Sequence, residues 1–115
     1  MSTSGNYIGV GPEALGDDCS GCVALGYQSL YKGSIGYGDH TAIGREALRH
    51  LGSGAGGDNT ALGAYAGYYN TSGGYNTFIG SQSGYYQGGD YNTMIGIQAG
   101  FATGLKSGDN NTFIG

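Results

Sequence analysis

Polar and apolar positions follow one short unit that returns from one end of the chain to the other. Its clearest copy is Tyr75-Asn76-Thr77-Phe78-Ile79-Gly80. Close relatives are Asp39-His40-Thr41-Ala42-Ile43-Gly44, Asp58-Asn59-Thr60-Ala61-Leu62-Gly63, Tyr91-Asn92-Thr93-Met94-Ile95-Gly96 and Asn110-Asn111-Thr112-Phe113-Ile114-Gly115. Weaker copies are Asn6-Tyr7-Ile8-Gly9 and Cys22-Val23-Ala24-Leu25-Gly26. The closing glycines stand at 9, 26, 44, 63, 80, 96 and 115, giving intervals of 17, 18, 19, 17, 16 and 19 residues. Such a period marks a stacked repeat and not a domain around one core. The predicted fold is all-β, a parallel β-roll or solenoid of about six 16–19-residue coils. Residues 1–115 form a single repeat domain, with irregular coils over 1–38, regular coils over 39–115 and a truncated last repeat.

Each unit divides in two. Thr and the aliphatic residue two places later share one face of an extended strand. Every strong copy has this pair, so the inside is assigned to Thr41, Ile43, Thr60, Leu62, Thr77, Ile79, Thr93, Ile95, Thr112 and Ile114. The residue between them, Ala42, Ala61, Phe78, Met94 or Phe113, then points outward as an apolar column suited to another subunit. After the glycine comes a small residue, Ser29, Ala47, Ala66, Ser83 or Ala99, where two backbone layers can approach closely. Loops such as Asn70-Thr71-Ser72-Gly73-Gly74 and Gln87-Gly88-Gly89-Asp90 carry turn-forming residues. Gly33-Ser34-Ile35-Gly36 reads as an extra half-copy, and the repeat frame makes 44–51 a strand or irregular turn in preference to a short helix.

The 27 glycines sharpen this picture. Glycine loses much backbone entropy on ordering and adds nothing to a core, so stability has to come from stacking coil on coil. Six coils at about 4.8 Å per strand make a rod of about 30 Å. Collagen is excluded, since the chain has one proline, Pro12, and no glycine triplet. The regular aliphatic residue before each glycine argues against disorder. With a formal charge of −4 and four cations, Lys32, Arg45, Arg49 and Lys106, no basic face suits nucleic acid. No apolar run is long enough for membrane insertion, and residues 1–5 do not form a signal peptide.

The Asn-Thr-Ala/Phe-Ile-Gly…Ala-Gly-Tyr pattern resembles the repeats of phage and phage-like tail fibres. It is also similar to the Ala-Ile-Gly-x-x-Ala pattern in the heads of trimeric autotransporter adhesins. The resemblance spans nearly the whole chain and is clearest over 39–115. It implies a left-handed parallel β-roll in which three chains pack side by side, on a virion tail fibre or at a cell surface. A physical argument points the same way: an interior of Thr and Ile/Leu buries too little area to offset so many ordered glycines. The Phe78/Met94/Phe113 column is therefore expected to be hidden in a homotrimer. Open solenoid ends also allow end-to-end association into a filament.

Candidate chemistry is sparse. Cys19-Ser20-Gly21-Cys22 lacks the following helix of a redox motif, and His40 and His50 do not complete a standard zinc site, so inert thiols or a local disulfide is the favoured reading. Asp39, Asp58, Asp90 and Asp109 precede the strands, where Asx capping outweighs calcium. Gly52-Ser53-Gly54-Ala55-Gly56-Gly57 has no lysine to make a nucleotide loop. Asn70-Thr71-Ser72 and Asn110-Asn111-Thr112 are formal glycosylation sequons. No catalytic set is found, so an enzyme is not expected, nor any cofactor or metal. Tyr68, Tyr85 and Phe101 form one aromatic column and Tyr69 and Tyr86 its neighbour. These five are candidate contacts to a cell-surface glycan or host receptor, weighed against mutual packing. A rigid trimeric rod that spaces or presents a recognition surface is the leading expectation. A carbohydrate-binding module is the alternative, and an ice-binding solenoid ranks lower because Thr is assigned inward.

Overall fold

The computed structural model describes residues 7–16, 19–31, 38–102, 104 and 108–115. Seven three-residue strands run through it: β1 (Ile8–Val10), β2 (Val23–Leu25), β3 (Thr41–Ile43), β4 (Thr60–Leu62), β5 (Thr77–Ile79), β6 (Thr93–Ile95) and β7 (Thr112–Ile114). They form one parallel sheet in chain order. Parallel neighbours that follow one another in sequence oblige the chain to travel round and come back one layer further on. The result is a parallel β-solenoid, about five turns in its described parts, with no helix among the described residues. Its extents are 36 × 23 × 18 Å. The segment over 45–50, which the sequence leaves as strand or irregular turn, consists of turns. The half-copy Gly33-Ser34-Ile35-Gly36 lies outside the described residues.

Two constraints hold the marker glycines. Gly26, Gly44, Gly63, Gly80 and Gly96 have φ between 121° and 138°. A Cβ on any of them would come within 2.5–2.9 Å of the carbonyl group of the marker glycine on the next coil. Either constraint alone would disfavour a side chain; together they explain why the column admits none. Register corrects one assignment. Gly9 pairs with Ala24 and Val10 with Leu25, so Gly11 and not Gly9 is the first marker, and a Cβ there would sit 2.9 Å from the Gly26 carbonyl.

The larger correction concerns inside and outside. Ala24, Ala42, Ala61 and Phe78 are wholly buried and Met94 is 1% exposed. The column expected at a subunit interface is the interior of the single chain; Phe113, on the last strand, remains 47% exposed. The expected core ladder faces outward: Leu62 is 46% and Ile114 76% exposed, and Ile43, Ile79 and Ile95 are half-buried. Thr60 and Thr112 are exposed, and Thr41, Thr77 and Thr93 are half-buried. The period of two was right and its parity wrong, which moves every side chain to the opposite face. A three-residue strand has one position pointing one way and two the other, and the narrow lumen takes the single one.

That lumen is filled by a trade between strand and turn. In the second and third coils Ala24 and Ala42 are accompanied by Leu30 and Leu48, both wholly buried. In later coils the strand residue is large and the turn residue is glycine: Phe78 with Gly84, Met94 with Gly100. A Cβ on Gly84 would lie 2.2 Å from Phe78 Cδ1, and one on Gly100 2.2 Å from Met94 Sδ. The two columns thus share one volume, as dense packing requires. All these turn positions have φ between 48° and 66°.

A polar spine runs beside the apolar one. The residue before each strand, Cys22, His40, Asn59, Asn76, Asn92 or Asn111, points inward, and the first five are buried. From His40 on, the backbone N–H of each donates to the side chain one coil earlier: Asn76 to Asn59 Oδ1 (3.0 Å), Asn92 to Asn76 Oδ1 (2.8 Å) and Asn111 to Asn92 Oδ1 (2.9 Å). Nearer the N-terminus the acceptors are His40 Nδ1 for Asn59 and Cys22 Sγ for His40. The amide groups of Asn59, Asn76 and Asn92 donate to the carbonyls of Gly73, Gly89 and Gly108. Buried amides are tolerated because they are satisfied in this way.

Candidate functional site

Three surfaces follow from this framework. The first is the outward face of the sheet. Paired registers place Thr41, Thr60, Thr77, Thr93 and Thr112 in one column and Ile43, Leu62, Ile79, Ile95 and Ile114 in another, continued by Ile8, Val23, Val10 and Leu25. No strand position carries a charge. The strip is therefore uncharged and partly exposed from β1 to β7.

The second is aromatic. Tyr68 stacks on Tyr85 with centroids 4.9 Å apart at 16°, and Tyr69 on Tyr86 at 5.1 Å and 8°. Across the two rows rings meet edge to face, Tyr68 with Tyr69 at 90° and Tyr85 with Tyr86 at 65°. Phe101 tilts against Tyr85 at 5.4 Å, and His50 stacks on Tyr69 at 4.7 Å. All five candidate glycan contacts therefore meet in one patch. Their faces are turned to each other along the rod, so the rims and hydroxyls are what they present. Stacking on a sugar needs a free ring face, and this arrangement favours mutual packing. Burial pushes the Tyr85 hydroxyl up to about 12, helped by neighbouring tyrosines, and burial also raises Tyr68 against the opposing pull of Arg49. A separate pair, Tyr75 and Tyr91, stacks at 5.0 Å and 4° while both rings remain more than half exposed.

The third surface holds Arg45 and Arg49, the cations among the described residues. Glu46 bridges them, its Oε1 3.2 Å from Arg45 Nε and its Oε2 3.6 Å from Arg49 Nε. The hydrogen bond to Glu46 raises the Arg45 guanidinium above its ordinary range. Arg45 lies over the rings of Tyr27 (5.6 Å) and Tyr65 (5.9 Å), and Arg49 over Tyr31 (5.3 Å) and Tyr68 (5.9 Å). Sequence reasoning missed this cluster because it treated the arginines only as a count; spacing within the repeat puts Arg49 on the column of Tyr31, Tyr68, Tyr85 and Phe101, whereas Arg45 shares its column with Tyr27 and reaches Tyr65 from the next one.

The remaining candidates are structural. Cys19 and Cys22 form a disulfide. The aspartates fall on two columns: Asp58 Oδ1 accepts the N–H of Asp39, while Asp90 and Asp109 accept those of Gly74 and Asp90. They staple coil to coil, where local Asx turns were expected. Asn70, in the first sequon, is wholly buried and clasps Gly73 through both its amide atoms. Asn110, in the second, is exposed. Among the described residues no group of three or more His, Cys, Asp or Glu is placed to hold a metal, and no helix is long and apolar enough to cross a membrane. A cleft of about 550 Å³ opens between the last coils, lined by Gln87, Met94, Phe101, Asn111 and Phe113 among others. It is the interior column itself, reached from the last strand.

Comparison with family models, with curated proteins and with solved structures gives no match.

Proposed function

We propose that this chain is a non-enzymatic fibre segment, a rigid rod that assembles side by side as a homotrimer and presents recognition surfaces on its turns. The observation that carries the reading is the outward Thr/Ile face: one aliphatic side chain per strand, in register over seven strands, with no charge among them. Left in water, each half-exposed Ile or Leu forgoes on the order of 1 kcal/mol, so covering the column supplies several kcal/mol per chain. The tail-fibre and adhesin-head repeats that the sequence resembles imply three chains about one axis. The buried Phe78/Met94 column takes no part in that contact; the Thr and Ile/Leu columns do. Native mass spectrometry together with Ile79→Glu tests the proposal. A trimer that Ile79→Glu converts to folded single chains supports it, and a wild-type monomer refutes it.

One observation favours a second reading. Thr faces outward, which removes the main objection to ice binding, although the second column is aliphatic where two outward Thr per strand would be expected. Thermal hysteresis of the monomeric variant or of the wild type decides this reading, and its absence ends it.

A further inference from the structure

We infer that the turn face around Arg45 is a recognition site for an acidic polysaccharide lying along the rod. This rests on the fibre reading for its choice of a saccharide over other acidic chains. Three features of the face carry the inference. Arg45, Glu46 and Arg49 hold two positive charges and one negative, so one charge of the triad lacks a partner. Arg49 is engaged with Gln28, His50 and Tyr68 and is only 22% exposed in its side chain. Arg45 is 61% exposed and uses Nε alone toward Glu46, which leaves the paired terminal nitrogens of its guanidinium facing solvent. That edge matches the two oxygens of a carboxylate or sulfate.

The guanidinium is also held in place. Tyr27 and Tyr65 lie on either side of it, and Glu46 fixes its rotation, so little side-chain entropy remains to be lost on binding. The row that continues along the rod from Glu46 is Tyr65, Gln82 and Gln98, with Gln98 Nε2 donating to Gln82 Oε1 at 2.9 Å. Phenol and amide groups repeated once per coil offer hydrogen bonds to a polyhydroxylated chain. Tyr27 and Ile97, 42% and 77% exposed on the adjoining column, are the apolar contacts a protein partner would use, and the peptide arm of the test addresses that occupant. Glu13 stands on the same row, two coils before Glu46 and hydrogen-bonded to Gln28. At about 10 Å from Glu46 it marks the end of the row that an anion avoids. Asp39, Asp58, Asp90 and Asp109 lie in the loops before the strands, away from these turns.

The test is retention of the purified chain on immobilised polygalacturonate and hyaluronate, with dextran as the neutral polymer and poly-L-glutamate as the acidic peptide. The account expects retention on both acidic polysaccharides, lost between about 50 and about 500 mM salt, and none on dextran. Arg45→Gln should weaken it by at least about tenfold, with Arg45→Lys in between, and circular dichroism and melting should be unchanged for both. Equal retention on dextran, poly-L-glutamate retained as tightly as the polysaccharides, no retention on either acidic polysaccharide, or an Arg45→Gln variant that binds like the wild type would each overturn the inference. Native mass of the same samples separates this result from the fibre proposal: a monomer that binds polygalacturonate through Arg45 ends the trimer and leaves the site standing.

Discussion

Exchange of side-chain volume between strand and turn gives the sharpest mutational test of the interior. Phe78→Ala removes a wholly buried ring and is expected to cost about 3–5 kcal/mol. That is a large share of the stability of an ordinary domain. Gly84→Leu alone should also be costly, because its Cβ would lie 2.2 Å from Phe78 Cδ1 and Cε1. Crowding of that kind costs about 1–3 kcal/mol, on top of about 1–2 kcal/mol for a side chain at φ 57°. The double variant rebuilds the pairing that Ala42 and Leu48 already make, and Leu48 tolerates φ 49°. It should therefore be more stable than either single variant, with a coupling of about 2–3 kcal/mol. Urea midpoints at one chain concentration, compared at constant slope, measure this. Additive losses, or a Gly84→Leu variant as stable as the wild type, would refute the shared-volume account.

Other outcomes follow from the same framework. His40→Asn should hold or raise the melting temperature because it completes the asparagine spine, whereas His40→Leu deprives the Asn59 N–H of its acceptor and should cost about 1–3 kcal/mol; equal melting of the two would contradict the spine. Gly63→Ala, with its Cβ 2.6 Å from the Gly80 carbonyl carbon, should disrupt stacking far more than Gly54→Ala, which meets nothing within 4 Å. With Tyr85 pushed up to about 12, folding favours its neutral phenol: the associated stability is intact below the ordinary tyrosine range near 10 and is lost as pH rises toward 12. Melting temperature should fall across that window and fall less in Tyr85→Phe. Identical slopes, or tyrosinate absorbance that rises in a single step near the ordinary value, would count against it.

Much of the architecture was legible in the chain. From the second coil on, marker glycines, strand positions, small residues at Ala47 and Ala66 and the aromatic columns all sit where the repeat places them, because a solenoid writes each structural column into sequence at fixed intervals. Parity was not legible from hydrophobicity. Ile79 is more apolar than Ala42 or Asn76, yet Ala and Asn are what a narrow lumen admits. Two signals pointed to the answer. Asn76 and Phe78 lie on one face, so the recurring Asn or His had to share the side of the residue that varies in size. Residue size also trades between columns, Ala42 with Leu48 and Phe78 with Gly84, as happens only where side chains compete for one space. The first coil was misframed because Tyr7-Ile8-Gly9 imitates the unit two residues early, and Gly9 stands in the alanine column. The Arg45 cluster needed three-dimensional placement, since its aromatic partners come from the two coils on either side of its own.

The mass of the assembled particle tests the central assignment most directly, because it asks what covers the Thr/Ile face. The account predicts a species of three times the 11.6 kDa chain, reduced by Ile79→Glu to single chains that keep their β circular dichroism. A stable, folded wild-type particle of one chain, with Ile79 left in water, would contradict it.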